Sequence, residues 1–140
     1  MNRKEFIKTG CGFCMSGLAL SLAALSGCAP AAYQVFKAEP VNNMLEIPLQ
    51  LFEKGNMQLV RPKGWQYDIA VQKHEDGTYA ALLLQCTHMD NQLNVAQNGF
   101  ACSLHGSRFN KDGNVLNGPA EIPLKKFPVT ISNNNIIIKI

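Results

Sequence analysis

Cys86-Thr87-His88 and Cys102-Ser103-Leu104-His105-Gly106-Ser107 each bring one thiol and one imidazole together within a few residues. Spacings this short put both donors of a segment on one tight loop, so two such loops supply a Cys2His2 set. That set suits several metals, zinc and iron–sulfur centres among them. Cys86 and Cys102 alone would equally allow one structural disulfide, the ordinary pairing of cysteines outside the cytoplasm. A disulfide, however, gives His88 and His105 no reason to stand where they do. The third histidine, His74, lies beside Glu75 in a turn-like stretch and reads as a solvated surface side chain.

An even split of one Cys and one His per loop matches a [2Fe-2S] cluster with two Cys on one iron and two His on the other. Gly106-Ser107 and Arg108-Phe109 then follow the second segment, and a bare zinc site does not require them. The pattern C-x-H, then C-x-x-H-G-S-x-[FY], resembles that of the Rieske iron–sulfur protein family. Gly118-Pro119-Ala120 looks like that family's proline loop, which covers the cluster from a third side, and the resemblance spans roughly Gln66 to Ile131. The segment between His88 and Cys102, residues 89–101, is somewhat short for the family but long enough for a hairpin.

The resemblance implies a [2Fe-2S] cofactor, with Cys86 and Cys102 as thiolates on the inner iron and His88 and His105 as neutral imidazoles on the outer one. It implies a role for Ser107 as well, whose hydroxyl would donate to a bridging sulfide and favour the reduced state. Two ferric ions, two sulfides and two thiolates carry no net charge, so this ligation raises the potential from about −400 mV into a range of about −150 to +300 mV. Phe109 stands where high-potential members carry a Tyr that donates to a cysteine sulfur, which implies a value low in that range. Quinol-oxidising members usually link their loops by a disulfide. The corresponding positions here are Asn91 and Leu104, so no such bridge can form. Met89 and Leu104 would make an apolar loop tip.

The loops need strands to hold them. Short strand-like runs separated by turn signals recur at residues 44–49, 57–60, 65–73, 78–85, 93–96, 114–117, 124–131 and 136–140. Glu75-Asp76-Gly77, Lys111-Asp112-Gly113 and Asn133-Asn134-Asn135 supply turns, and Gly99-Phe100-Ala101 leads into the second loop. No helix-period segment stands out beyond residue 28. The expected fold is all-β, a small antiparallel Rieske-type sandwich or partial barrel with a cluster-binding loop subdomain. Trp65 and Tyr67 read as packing, and Lys125-Lys126 as a wet face.

Upstream, Asn2 to Lys8 is a charged n-region, and an uncharged apolar stretch follows from Thr9 to Gly27, as in an export signal. Leu25-Ser26-Gly27-Cys28 resembles a bacterial lipobox, with Cys28 the lipidated first residue after cleavage; an uncleaved anchor is the alternative, at about 19 apolar residues. Arg3-Lys4-Glu5-Phe6-Ile7-Lys8 resembles a twin-arginine export motif with Lys for the second Arg, and general secretion is the other route. Cys11 and Cys14 fall inside this signal and would leave with it. The expected organisation is a signal over 1–27, the lipidated Cys28 and a tether over 28–42, and one domain over 43–140.

The composition is that of one globular domain, 46% hydrophobic and 16% charged. The formal charge of +3 misleads, because the signal supplies Arg3, Lys4 and Lys8 against Glu5 and leaves 10 basic and 9 acidic side chains. Nucleic acid is not an expected partner. One-electron transfer on the extracytoplasmic side of a bacterial membrane is the expected function, as a subunit rather than an enzyme by itself. Its partners would be a quinol- or substrate-oxidising subunit and a cytochrome. The rivals are a zinc-stapled binding lipoprotein, the Rieske small subunit of an exported molybdenum-type oxidase, and an oxygenase ferredoxin.

Overall fold

A computed structural model describes residues 33–140. The signal, the lipobox with Cys28, Cys11, Cys14 and the start of the tether lie outside the described residues. Strands β1 (Val35–Ala38), β3 (Met57–Pro62), β4 (Ile69–Lys73), β5 (Tyr79–Leu83) and β10 (Lys126–Phe127) form a five-stranded sheet in the order β1-β3-β4-β5-β10. Strands β2 (Met44–Pro48), β11 (Val129–Ser132) and β12 (Asn135–Lys139) form a second sheet, and β6 (Asn94–Ala96), β7 (Gly99–Ala101), β8 (Arg108–Asn110) and β9 (Val115–Asn117) a third. A single turn of 3-10 helix, Leu49–Phe52, follows β2. Among the described residues no helix is long and apolar enough to cross a membrane.

The central sheet explains the near-continuous apolar run Tyr79-Ala80-Ala81-Leu82-Leu83-Leu84. Side chains alternate between faces along a strand, and here both faces are covered. Val60, Ile69, Val71, Ala81 and Leu83 face Leu45, Ile47, Ile136 and Ile138 of the three-stranded sheet. Leu59, Ala70, Leu82 and Leu84 face the other way, packing with Cys86, Leu93, Phe100, Cys102, Phe109 and Leu124. Two cores thus share one sheet, and the second contains both candidate ligand cysteines.

The three expected turns join β4 to β5, β8 to β9 and β11 to β12. The all-β expectation holds, with two departures. Residues 35–38, assigned from sequence to the tether, form β1 and pair in parallel with β3, from Val35 opposite Leu59 to Ala38 opposite Pro62. The run over 124–131 is divided at Pro128 into β10, which pairs with β5, and β11, which pairs with β12. Proline cannot donate to a ladder, so the chain changes sheets there.

Everything between β5 and β10, residues 84–125, is an insertion carrying the small four-stranded sheet and both loops. Gly99 permits its closest approach. A Cβ there would lie 2.0 Å from the Phe109 carbonyl oxygen, at a φ of +144° that favours glycine.

Candidate metal centre

The first loop leaves β5 at Leu84, which pairs with Leu93 through the Leu93 N–H to Leu84 carbonyl bond (2.9 Å), and Gln85 bridges to Gln92. Inside that neck the Cys86 N–H donates to the Asn91 carbonyl at 2.8 Å. The second loop closes by the same device, the Cys102 N–H donating to the Ser107 carbonyl at 2.8 Å, and the Gly106 N–H returns to the Cys102 carbonyl at 3.0 Å. Gly106 sits at φ +81°, which explains why glycine follows His105.

These closures sort the donors by depth. Cys86 and Cys102 are 1% and 3% exposed, and neither is in a disulfide. His88 and His105 are exposed on the outer side, their ring centroids 5.0 Å apart and their planes crossing at 88°. Burial pushes the Cys102 thiol up. The His105 and Leu104 amides outweigh it, with the Cys86 thiol and the Asn91 amide adding to them, and hold Cys102 below the ordinary thiol range, toward the thiolate that binds metal.

A third segment covers the pair. Gly118-Pro119 is a cis peptide, and Asn117 Nδ2 donates to the Gly106 and Gly118 carbonyls at 3.3 and 3.0 Å. Ser107 is fully buried, and its Oγ accepts the Ala120 N–H at 3.0 Å. That bond uses a lone pair and leaves the hydroxyl proton free to donate, as its expected role toward a sulfide requires. Thr87 Oγ1 donates to the Ile122 carbonyl at 2.7 Å, tying the first loop to this cover.

Several supporting residues were not legible from spacing. Tyr67, expected as packing, does pack against the sandwich core, but its hydroxyl also donates to the Asp90 carbonyl. Gln85 Nε2 donates to the Asp90 carboxylate at 2.8 Å, and Gln92 Oε1 accepts the Asp68 N–H at 3.0 Å. Asn91, noted in the sequence only as a missing cysteine, places Nδ2 3.7 Å from Cys102 Sγ. Phe109 is buried in the second core. Met89 and Leu104 are exposed, at 57% and 58%.

Among the described residues no group of three or more His, Cys, Asp and Glu side chains gathers around a single ion position. The four donors come instead as two pairs, thiols within and imidazoles without, a layout for two metal atoms of unequal ligation. That donor set fits a [2Fe-2S] cluster.

Comparison with known proteins agrees. A family model described as the Rieske [2Fe-2S] domain matches residues 45–128, more than half of the chain. The cytochrome b6-f complex iron-sulfur subunit of Chlorobaculum tepidum is 29% identical over 75 residues, 52% of this chain and 41% of that protein. Cytochrome b6-f complex iron-sulfur subunit 3 of Nostoc sp. is 41% identical over 59 residues, 41% of this chain and 33% of its own length. The chain thus spans less than half the length of either relative. A solved complex of reduced oxygenase and oxidized ferredoxin in carbazole 1,9a-dioxygenase shares the fold, with a TM-score of 0.53 at 21% identity over 71% of this chain and 94% of that one. With a matching ligand pattern, a matching domain and a donor set of two unlike pairs, the chain belongs to the Rieske [2Fe-2S] family and has a [2Fe-2S] cluster as its cofactor.

Proposed function

We propose that this protein carries single electrons at the outer side of a bacterial membrane, held there by lipid on Cys28, as a subunit of a respiratory or other oxidoreductase complex. Cys86 and Cys102 hold the inner iron in this reading, and His88 and His105 the outer. The observation that carries it is the gradient of exposure across the four donors, from thiols at 1% and 3% to two imidazoles open to solvent. When bound, the cluster supplies a one-electron couple at moderate potential.

The chain's own groups do the rest. The thiols and the second core keep water from the inner side. The exposed imidazoles bring the redox centre to the surface, where a partner can meet it without intervening protein. Met89 and Leu104 flank the histidines with apolar surface that a docking partner can cover. Relatives named as iron-sulfur subunits of the cytochrome b6-f complex support a place in a multi-subunit assembly, with a quinol- or substrate-oxidising subunit and a cytochrome as partners. Asn91 and Leu104, in place of a loop-linking disulfide, favour a second reading as an oxygenase-type ferredoxin.

Expression of the full chain in a bacterial host with an alkyne-labelled fatty acid tests the tether and the cluster together. The expected result is labelled protein in the membrane fraction, with a reduced-state EPR signal of low average g, and loss of label in Cys28→Ala. Unlabelled protein in the soluble fraction overturns the tether, and stoichiometric zinc without an EPR signal overturns electron transfer.

A further inference from the structure

The two ligand loops are built alike, and the likeness singles out Asn91. In each loop the cysteine N–H closes on the carbonyl five residues ahead, Asn91 in the first and Ser107 in the second. Ser107 turns its hydroxyl into the site, where it meets the Ala120 amide. Asn91 turns its amide inward too, and Nδ2 lies 3.7 Å from Cys102 Sγ, within reach of an amide–sulfur hydrogen bond. An amide nitrogen has two protons, and the other serves the Gln92 carbonyl at 3.2 Å. Asn91 therefore touches both cysteines, taking the Cys86 N–H on its carbonyl and giving a proton to the sulfur of Cys102.

Its neighbours hold that aim. Asp90 sits in the left-handed region at φ 31°, its carbonyl accepting from Tyr67 and its carboxylate from Gln85. On the other side Gln92 is fixed by the Asp68 amide. A side chain anchored on both flanks gives up little further freedom to make its bond.

We propose that the Asn91 side-chain amide donates a hydrogen bond to the Cys102 ligand sulfur, raising the cluster's reduction potential and clasping the two loops without a covalent bond. The proposal rests on Cys102 being a cluster ligand, as read above. An added electron increases negative charge on the ligand sulfur, so a donor there favours the reduced state over the oxidised one. Phe109 has no donor to offer. Asn91 supplies one from the opposite loop.

The test uses the full chain with its cluster assembled, and absorption and reduced-state EPR come first. A cluster-free wild type would overturn the electron-transfer reading itself, whereas the following outcomes bear on Asn91 alone. In Asn91→Leu, similar in size but without a donor, the expected result is a retained EPR signal and a midpoint potential shifted negative in protein-film voltammetry. A loaded variant at the wild-type potential overturns the proposal. Should Asn91→Leu fail to load, wild-type protein labelled with 15N in its asparagine side-chain amides decides the matter by pulsed EPR of the reduced state. A coupled amide nitrogen is expected, and its absence overturns the proposal.

Discussion

The sandwich and the insertion are made of different materials. Between the three- and five-stranded sheets, Leu45, Ile47, Ile69, Val71, Ile136 and Ile138 interdigitate from strands of five residues, all at 0% exposure. In the insertion the strands are three residues long, and its apolar core ends against two cysteines. What shapes that end is a set of hydrogen bonds from side chains: Thr87 to Ile122, Ser107 with Ala120, Asn117 to Gly106, and Tyr67 to Asp90. Burial of apolar area stabilises the first region, while loop closure and, on the reading proposed above, metal ligation shape the second. The stability of the domain and the geometry of its centre are therefore separable, and each can be broken alone.

The largest effect falls on the ligands. Cys86→Ser or Cys102→Ser should lose the cluster outright while the circular dichroism of the sheets persists. Iron content against secondary structure measures this, and loss of both together would show that the regions are not separable. Next comes the sandwich. Ile136→Ala deletes a side chain at 0% exposure and should cost about 2 to 5 kcal/mol in denaturant unfolding. The EPR spectrum of the folded fraction should stay as in the wild type, and an altered spectrum would couple the two cores.

Removal of iron from the intact protein probes the contrast without a substitution. Residues 86–91 and 102–107 should become several-fold more sensitive to protease, while β3, β4 and β5 keep their protection, because binding energy supports only the region that binds. Equal resistance with and without iron would contradict this. The smallest effect is that of Thr87→Val, which removes one exposed bond between the first loop and its cover. About 0.5 to 1.5 kcal/mol is expected, confined to faster hydrogen exchange around residues 118–122.

The candidate donors stand out in the sequence because their chemistry is local, with thiol and imidazole two or three residues apart on the same loop. The long strands were legible for the same kind of reason, since alternation and bounding turns lie within one short window. β1 was not, because four residues after a proline- and alanine-rich stretch show no alternation, and their pairing with β3 depends on residues far ahead in the chain. Strand β8 was missed because Arg108-Phe109-Asn110 runs directly on from the ligand motif, which accounts for those residues without a strand. The hydrogen bonds of Asn91 and Tyr67 were hidden for a different reason. Each acts across the fold, on Cys102 and on Asp90, and residue type alone does not reveal which partner a side chain will meet.

Pulsed EPR of the reduced full-length protein, labelled with 15N in histidine, tests the ligand set most directly. Two coupled imidazole nitrogens are predicted in the wild type and one in each of His88→Cys and His105→Cys. A reduced cluster with no histidine coupling, or with the same couplings after either substitution, would contradict the assignment of His88 and His105 to the outer iron.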